Sequence, residues 1–281
     1  MNISLRVFQL LLASCLAATS SAPAQTPQEP LQPIWGQAGK DVVWIPTPGD
    51  LVGKMLDLAR VTPQDYVIDL GSGDGRNVIA AARRGARALG VEYNSEMIEL
   101  SRRAAAMEGV ADRARFVQGD MFEADISQAT VLTLFLRSEN LRKLTPKFLE
   151  LRPGTRIVAN TFGIDGWEPD QTYQAEGDCG AWCSVFLYIV PARAAGTWRL
   201  AQGELTLEQN FQLLSGTLSS GGTRAPIANG RLRGDRIGFS VGGVEYAGRV
   251  NGYTMAGDVK GGASRTWSAI RTRSLTPAAK P

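Results

Sequence analysis

The segment VIDLGSGDGR, residues 67–76, constrains this chain more than any other. A short apolar run ends at Asp69, and glycines then occupy positions 71, 73 and 75. The run predicts a buried strand, and the glycines predict a tight turn that leads from this strand into a helix. Such a turn leaves bare main chain beside a carboxylate. The segment therefore predicts a ligand site at the carboxyl end of a strand.

Strand and helix patterns alternate around this segment, from Trp44 to Val190. Apolar strand patterns occur at YVIDL, RALGVE, ARFVQGD, TVLTLFL and TRIVANTF, and amphipathic helix patterns separate them. The first helix is expected to have Thr47 as its cap and Pro48 in its first turn, and the last is expected to break at Thr145-Pro146. The alternation predicts an α/β fold with a doubly wound, mostly parallel sheet, in which ligands bind at the carboxyl ends of the strands.

From Gly196 onward the pattern changes to short alternating strands separated by glycine turns. LRGDRIGF and RVNGYTMAG each read as a hairpin, so a small antiparallel β domain is expected after the α/β domain. The predicted layout is a signal peptide or anchor (1–24), a linker (25–40), the α/β domain (41–192), a β-rich accessory domain (193–273) and a tail (274–281).

Two features of the composition exclude classes of chemistry. The 281 residues include no histidine, which removes Ser-His and Cys-His nucleophiles and histidine-bound zinc, so no metal site is predicted. The formal net charge is only +3, and the basic clusters fall on the polar faces of predicted helices. The charge therefore gives no argument for a nucleic-acid partner.

The amino terminus has the layout of an export signal. One arginine precedes an uncharged apolar stretch, and Ala22 and Ala24 lie at a small-residue cleavage site. We expect an exported (periplasmic) protein or one tethered to a membrane through this segment, in preference to a lipoprotein attached at Cys15. Cys179 and Cys183 are expected to form a disulfide, with two free thiols as the alternative.

Acidic residues at successive strand ends discriminate between cofactors. Glu92 ends the second predicted strand and Asp120 the third. A dinucleotide fingerprint requires glycine where this chain has Arg76, and Asp69 and Asp74 would repel a pyrophosphate. S-adenosylmethionine has no phosphate, but it has a sulfonium, an ammonium and a ribose diol, which suit carboxylates. The sequence therefore predicts S-adenosylmethionine as the cofactor.

At these residues the chain resembles the class I, seven-strand, S-adenosylmethionine-dependent methyltransferases. DLGSGDG matches their first motif, Glu92 their ribose-binding acid, and Asp120 with Met121 their adenine-contacting pair. The resemblance implies a cofactor site made by Asp69, Gly71, Ser72, Gly73, Gly75, Glu92, Asp120 and Met121.

A closer resemblance covers Trp44 to Trp167. WIPTPGDLVGKMLDLARV followed by YVIDLGSGDGR is similar to the membrane-anchored protein-lysine methyltransferases that modify the c-ring protein of ATP synthase and the adenine nucleotide carrier, and to their bacterial relatives. It implies a protein-lysine acceptor, with membrane proteins among the candidate partners and membrane association of the enzyme. It also implies that Thr47 lies near the cofactor's carboxylate or its transferred methyl.

The acceptor side departs from the pattern of many amine methyltransferases. Where they carry Asp/Asn-Pro-Pro-Tyr, this chain has TLFLRSEN, so the catalytic residues stay unknown. Asn140, Asn160, Asp165 and Trp167 are candidates by position alone. Two other functions stay open: a methyltransferase of a small molecule or lipid, and a non-catalytic S-adenosylmethionine-binding envelope module. The second is kept because the leader points outward, whereas the cofactor is made in the cytoplasm.

Overall fold

The computed structural model describes residues 32–176 and 179–274, with side chains as far as residue 272. The predicted signal or anchor, Cys15, most of the linker and the tail beyond Ser274 lie outside the described residues. Within the described ranges, no helix is both long and apolar enough to cross a bilayer.

The first sheet has seven strands in the order β3-β2-β1-β4-β5-β7-β6. Strands β1 to β5 are parallel, whereas β7 runs antiparallel to both β5 and β6. The strand bounds are β1 Tyr66–Leu70, β2 Arg87–Glu92, β3 Ala114–Gln118, β4 Val131–Leu134, β5 Arg156–Asn160, β6 Gln171–Gln174 and β7 Ser184–Ile189. The predicted fold class is confirmed, but β6 and β7 were not among the predicted strands.

Helices cover both faces of this sheet, and β1 shows why its sequence is apolar throughout. Successive side chains of a strand point to opposite faces. Val67 packs in one core with residues of α1, α2 and α3, whereas Ile68 and Leu70 pack in the other core with residues of α4. The helix bounds are α1 Gly49–Leu58, α2 Arg76–Arg83, α3 Ser95–Met107 and α4 Ser138–Phe148.

Two predictions about helix ends are wrong. Helix α4 does not break at Thr145-Pro146 but continues through Pro146 to Phe148. Because Pro146 lies in the last turn, its missing N–H removes only one helical hydrogen bond, and Leu149 N still donates to Thr145 O at 3.1 Å. Thr47 does not cap α1, which has Pro48 at its N-cap and no side-chain cap. By contrast, Asn94 caps α3 as predicted, with Oδ1 accepting from Glu96 N at 2.8 Å.

The second sheet, here called the β domain, comprises residues 196–274. Its strands are β8 Gly196–Leu200, β9 Gly203–Asn210, β10 Leu213–Ser220, β11 Thr223–Pro226, β12 Ala228–Arg233, β13 Arg236–Val241, β14 Val244–Asn251, β15 Thr254–Lys260 and β16 Thr266–Ser274. They follow the order β11-β10-β12-β13-β14-β15-β16-β8-β9, and a further pairing of β10 with β9 closes a ring of antiparallel strands. Trp198, Phe239 and Trp267 fill its core.

Aromatic and polar contacts join the β domain to the α/β domain. The rings of Trp167 and Phe211 stack with centroids 5.0 Å apart. Next to them, Gln212 Nε2 donates to the Glu168 carbonyl at 2.6 Å. Trp167 is buried and also contacts Tyr188 of β7, with centroids 5.4 Å apart. The loop after β5 is therefore packed between the two sheets.

Candidate functional site

A cleft opens at the carboxyl ends of β1, β2 and β3. It encloses about 900 Å³, counted out to its open mouth, which is within the usual size range of small-molecule sites. Gly71 and Gly73 form its floor with positive φ angles of 73° and 54°, a conformation that favours glycine. The cleft therefore lies where the sequence predicts a ligand site.

The cleft gathers nearly all of the predicted cofactor residues. Those that line it are Thr47, Asp69, Gly71, Ser72, Gly73, Glu92, Asp120 and Met121. Gly75 is not among the lining residues. It is the N-cap of α2, with φ 80°, and a Cβ at this position would lie 2.7 Å from Cε1 of Phe116. Its missing side chain thus serves the packing of α2 on β3, not the approach of a ligand.

Glu92 is held in place by backbone donors. Its Oε2 accepts from Gly73 N at 2.9 Å, and its Oε1 accepts from Asn94 N at 3.0 Å. A carboxylate offers about four lone-pair sites, so each oxygen can still accept a bond from a ligand hydroxyl. The carboxylate also lies beside the amino-terminal end of α3, whose dipole favours negative charge. Glu92 is therefore a fixed acceptor for a diol.

Asp69 is the buried acid of the cleft, with a relative exposure of 2%. Burial raises the pKa of Asp69 to about 8, and the hydrogen bond from Asn77 Nδ2 at 3.3 Å offsets this only in part. The nearby carboxylates of Glu92 and Asp74 raise it further. A cation in the cleft would have the opposite effect on Asp69.

Asp120 joins the floor of the cleft to the segment that covers it. Its Oδ1 accepts from Phe122 N at 2.8 Å, and its Oδ2 forms an ion pair with Lys40. The hydrogen bond from Lys40 is the main cause that lowers the pKa of Asp120. Lys40 Nζ also lies 5.1 Å from the centroid of the Tyr93 ring. Lys40 was predicted to belong to the linker, and its role at the cleft was missed.

The covering segment, residues 37–47, lines the cleft along its whole length. Trp44 packs so closely on the glycine turn that a Cβ on Gly73 would lie 2.6 Å from Trp44 Nε1. At the end of the segment, Thr47 is buried and its carbonyl accepts from Arg76 Nη1 at 2.7 Å. Arg76 in turn binds Asp74, with Nε 3.0 Å from Oδ1. Side-chain contacts thus fix the segment to the start of α2.

None of the four acceptor candidates chosen by position lines the cleft. Asn140 Nδ2 donates to the Asp41 carbonyl at 3.4 Å, which anchors the covering segment. Asn160 Nδ2 donates to the Trp182 carbonyl at 2.8 Å. Asp165 is exposed and lies 3.6 Å from Arg142, while Trp167 packs against the β domain. All four have structural contacts that account for their positions.

A second hollow adjoins the cleft and was missed by the sequence analysis. It encloses about 570 Å³ and is lined by Val42, Val43, Ile45, Phe135, Arg137, Phe162 and Trp182. The first three and Phe135 also line the cleft, so the two hollows share a wall. One signal was available in the sequence: Phe135 and Phe162 follow directly on the fourth and fifth strand patterns, at the sheet edge where ligands bind.

The donor set of the cleft tests which cofactor fits. Three carboxylates, Asp69, Glu92 and Asp120, face one cavity together with bare main chain. They match an ammonium, a sulfonium and a diol, whereas a pyrophosphate would be repelled. The seven-strand order with an antiparallel β7 and this acidic cleft define the protein as a class I S-adenosylmethionine-dependent methyltransferase.

Comparisons with known proteins assign the family. A family model for the ANTKMT methyltransferase domain matches residues 69–171. A protein-lysine N-methyltransferase of Saccharolobus islandicus is 43% identical over 152 residues, which is 53% of this chain and 94% of that protein. The chain belongs to this methyltransferase family.

Two further relatives differ in the acceptor that their names give. The lysine N-methyltransferase of the ATP synthase c-ring protein from Xenopus laevis is 33% identical over 50% of this chain; the match spans 61% of that relative's length. A solved structure of an RNA methyltransferase from Salinibacter ruber, in complex with S-adenosyl-L-homocysteine, is 45% identical, with a TM-score of 0.50. It matches over 53% of this chain and 96% of its own length.

Proposed function

We propose that this protein transfers a methyl group from S-adenosylmethionine to the side-chain amine of a lysine in a protein. The observation that carries the proposal is the apolar, aromatic hollow that shares a wall with the acidic cofactor cleft. The S. islandicus relative, a protein-lysine N-methyltransferase with which most of its length aligns, supports the same acceptor class.

We assign the ends of the cofactor to three groups of residues. Glu92 accepts hydrogen bonds from the ribose diol, and Asp120 with Met121 contacts the adenine. Asp69 lies opposite the ammonium group, and Gly71, Ser72 and Gly73 offer main chain to the methionine part. Thr47, on the covering segment, lies toward the carboxylate or the methyl group. When bound, S-adenosylmethionine supplies an electrophilic methyl group on a positively charged sulfur.

The protein's task is then to position a neutral amine. The lysine nitrogen donates its lone pair to the methyl carbon while the carbon–sulfur bond breaks toward sulfur, so the nitrogen gains the positive charge. Apolar surroundings lower the pKa of a lysine amine, and the cationic Arg137 in the wall acts in the same direction. Positioning of this kind can supply roughly 7–11 kcal/mol of the barrier reduction. A chain without histidine can therefore perform the reaction.

Cofactor binding is expected to be linked to a proton on Asp69. Because its pKa in the free protein is about 8, this carboxyl is mostly protonated at neutral pH. A cation beside it lowers that pKa, so binding releases up to about one proton, and affinity rises with pH until the pKa of the free protein is passed. Isothermal titration calorimetry in phosphate and in Tris buffer measures this release, since the two buffers differ in ionisation enthalpy.

The matched control for the proton release is Asp69→Asn, which cannot titrate. It should bind S-adenosylmethionine with an affinity that no longer rises over the same pH range. Identical binding enthalpies in the two buffers for the unmodified protein would show that Asp69 does not face a cation.

The acceptor class is tested by locating transferred label. The purified protein is incubated with methyl-labelled S-adenosylmethionine and host membrane extract, and the protein, lipid, small-molecule and RNA fractions are separated. Methylated lysine in an acid hydrolysate of the protein fraction is the expected result. Label in lipid, in a small molecule or in RNA would replace the lysine proposal with that acceptor, and binding without transfer would indicate a non-catalytic module.

We also propose that the protein is exported or tethered to a membrane through residues 1–24. The Cys179–Cys183 disulfide supports this, since disulfides persist mainly in oxidising compartments. A reporter enzyme fused to the carboxyl terminus, active only outside the cytoplasm, tests the proposal. A reporter that is active only in the cytoplasm would contradict it.

A further inference from the structure

Three aromatic rings from different parts of the chain meet beside the cofactor cleft; we call Phe135, Phe162 and Trp182 the aromatic pocket. Phe135 and Trp182 meet edge to face, with centroids 5.5 Å apart, and Phe162 lies 6.1 Å from Trp182 and 6.2 Å from Phe135. Phe135 follows β4, Phe162 follows β5, and Trp182 lies in the loop between β6 and β7. All three rings are only partly buried, so ring surface is available to a ligand.

The position of Trp182 is fixed by the loop that carries it. The Cys179–Cys183 disulfide closes this loop around Trp182, whose backbone N donates to Cys179 O at 3.0 Å. The Trp182 carbonyl accepts from the buried Asn160 at the end of β5. The ring is therefore held before any ligand arrives, which reduces the ordering cost of binding.

We propose that the aromatic pocket binds the acceptor lysine side chain and retains it after methylation; this proposal rests on the proposed function. The methylene stem packs against the rings, and the amine points across Phe135, which the pocket shares with the cofactor cleft. The rings exclude water from the amine and so favour its neutral, nucleophilic form. Once methylated, the nitrogen is a bulky cation that is attracted to ring faces.

Retention of the product has a measurable consequence. A monomethylated lysine that stays in the aromatic pocket can lose its proton and accept a second methyl group after the cofactor is exchanged. The unmodified protein is therefore expected to yield dimethyl- and trimethyl-lysine. Loss of the Trp182 ring should shift the products toward monomethyl-lysine.

The first experiment tests cation binding without catalysis. The full protein is titrated with choline, and separately with dimethylbutanol, its neutral carbon isostere, while the indole N–H signals are followed by NMR. Choline should shift the Trp182 signal and bind about 2- to 30-fold more tightly than the isostere. Trp182→Ala should abolish the choline response, whereas Tyr253→Ala, at an exposed ring of the β domain, should retain it. Equal binding of choline and isostere would overturn the proposal.

The second experiment compares lysine labelling by three variants in the membrane extract. Trp182→Ala and Phe135→Leu should lose roughly tenfold or more of the lysine label, in line with the cost of removing a buried aromatic contact. Trp182→Phe should retain most of it. The affinity of each variant for S-adenosylmethionine should change less than about twofold, which also shows that the variant is folded.

The two proposals fail in different ways. If the unmodified protein labels lysine but Trp182→Ala and Phe135→Leu label it equally well, with the same methylation states, the aromatic pocket is overturned and the lysine acceptor stands. If the unmodified protein labels RNA, lipid or a small molecule and not lysine, the proposed function itself is overturned, together with the pocket's role.

Discussion

Replacing Glu92 with alanine is expected to weaken S-adenosylmethionine binding by about 1.5–3 kcal/mol, which is roughly a 10- to 150-fold rise in Kd. The carboxylate is held by the backbone N–H groups of Gly73 and Asn94, so its remaining acceptor sites are preorganised for the ribose diol. Alanine removes these charge-assisted hydrogen bonds and leaves the two backbone donors without their partner.

Isothermal titration calorimetry of the purified variant measures this change. Glu99→Ala is the matched control, because Glu99 is an exposed acid on α3 that pairs with Arg102 at 2.6 Å and does not line the cleft. Its effect should stay within about 0.5 kcal/mol. An unchanged Kd for Glu92→Ala would refute the assignment of Glu92 to the ribose.

Gly75→Ala is expected to destabilise the α/β domain by about 2–5 kcal/mol. The backbone at Gly75 has φ 80°, a left-handed conformation that costs a residue with a Cβ about 1–2 kcal/mol. In addition, the new methyl group would lie 2.7 Å from Phe116 Cε1 and 2.9 Å from Ser101 Cβ, and overpacking of this kind costs about 1–3 kcal/mol. Either α2 moves away from β3 or the Phe116 ring leaves its site.

Urea unfolding followed at the helical circular dichroism band measures this loss, since the described helices all belong to the α/β domain. Gly109→Ala separates the two causes, because Gly109 also has a positive φ, 68°, but no neighbouring atom lies within 4 Å of the position that its new methyl group would take. It should lose only the conformational part, about 1–2 kcal/mol. Equal losses in the two variants would show that Phe116 accommodates the methyl group.

The sequence predicted those parts of the fold and site whose signals are local. The strand that ends at Asp69, the glycine turn and the cap at Asn94 each depend on residues a few positions apart. Glu92 and Asp120 were placed correctly because parallel strands bring their carboxyl ends to one edge of the sheet. These two rules together were enough to assemble most of the cleft.

The missed parts depend on contacts between distant residues. Lys40 reaches Asp120 across 80 positions, and nothing near Lys40 distinguishes it from a linker residue. Strand β6 has the half-exposed sequence QTYQ and is defined by its pairing with β7. The aromatic pocket combines three loops, one of which is shaped by a disulfide. No short-range pattern encodes such combinations.

The stacking of Trp167 on Phe211 gives the β domain an influence over chemistry that it does not touch. Phe162 and Trp167 belong to the same short loop after β5, so the seating of Trp167 against the β domain determines where the Phe162 ring stands. Under our proposal that ring is a wall of the lysine channel. Acceptor preference can therefore be tuned by remote substitutions around Phe211, beyond the matched family segment that ends at residue 171. Evolution would thereby alter selectivity while leaving the catalytic half untouched.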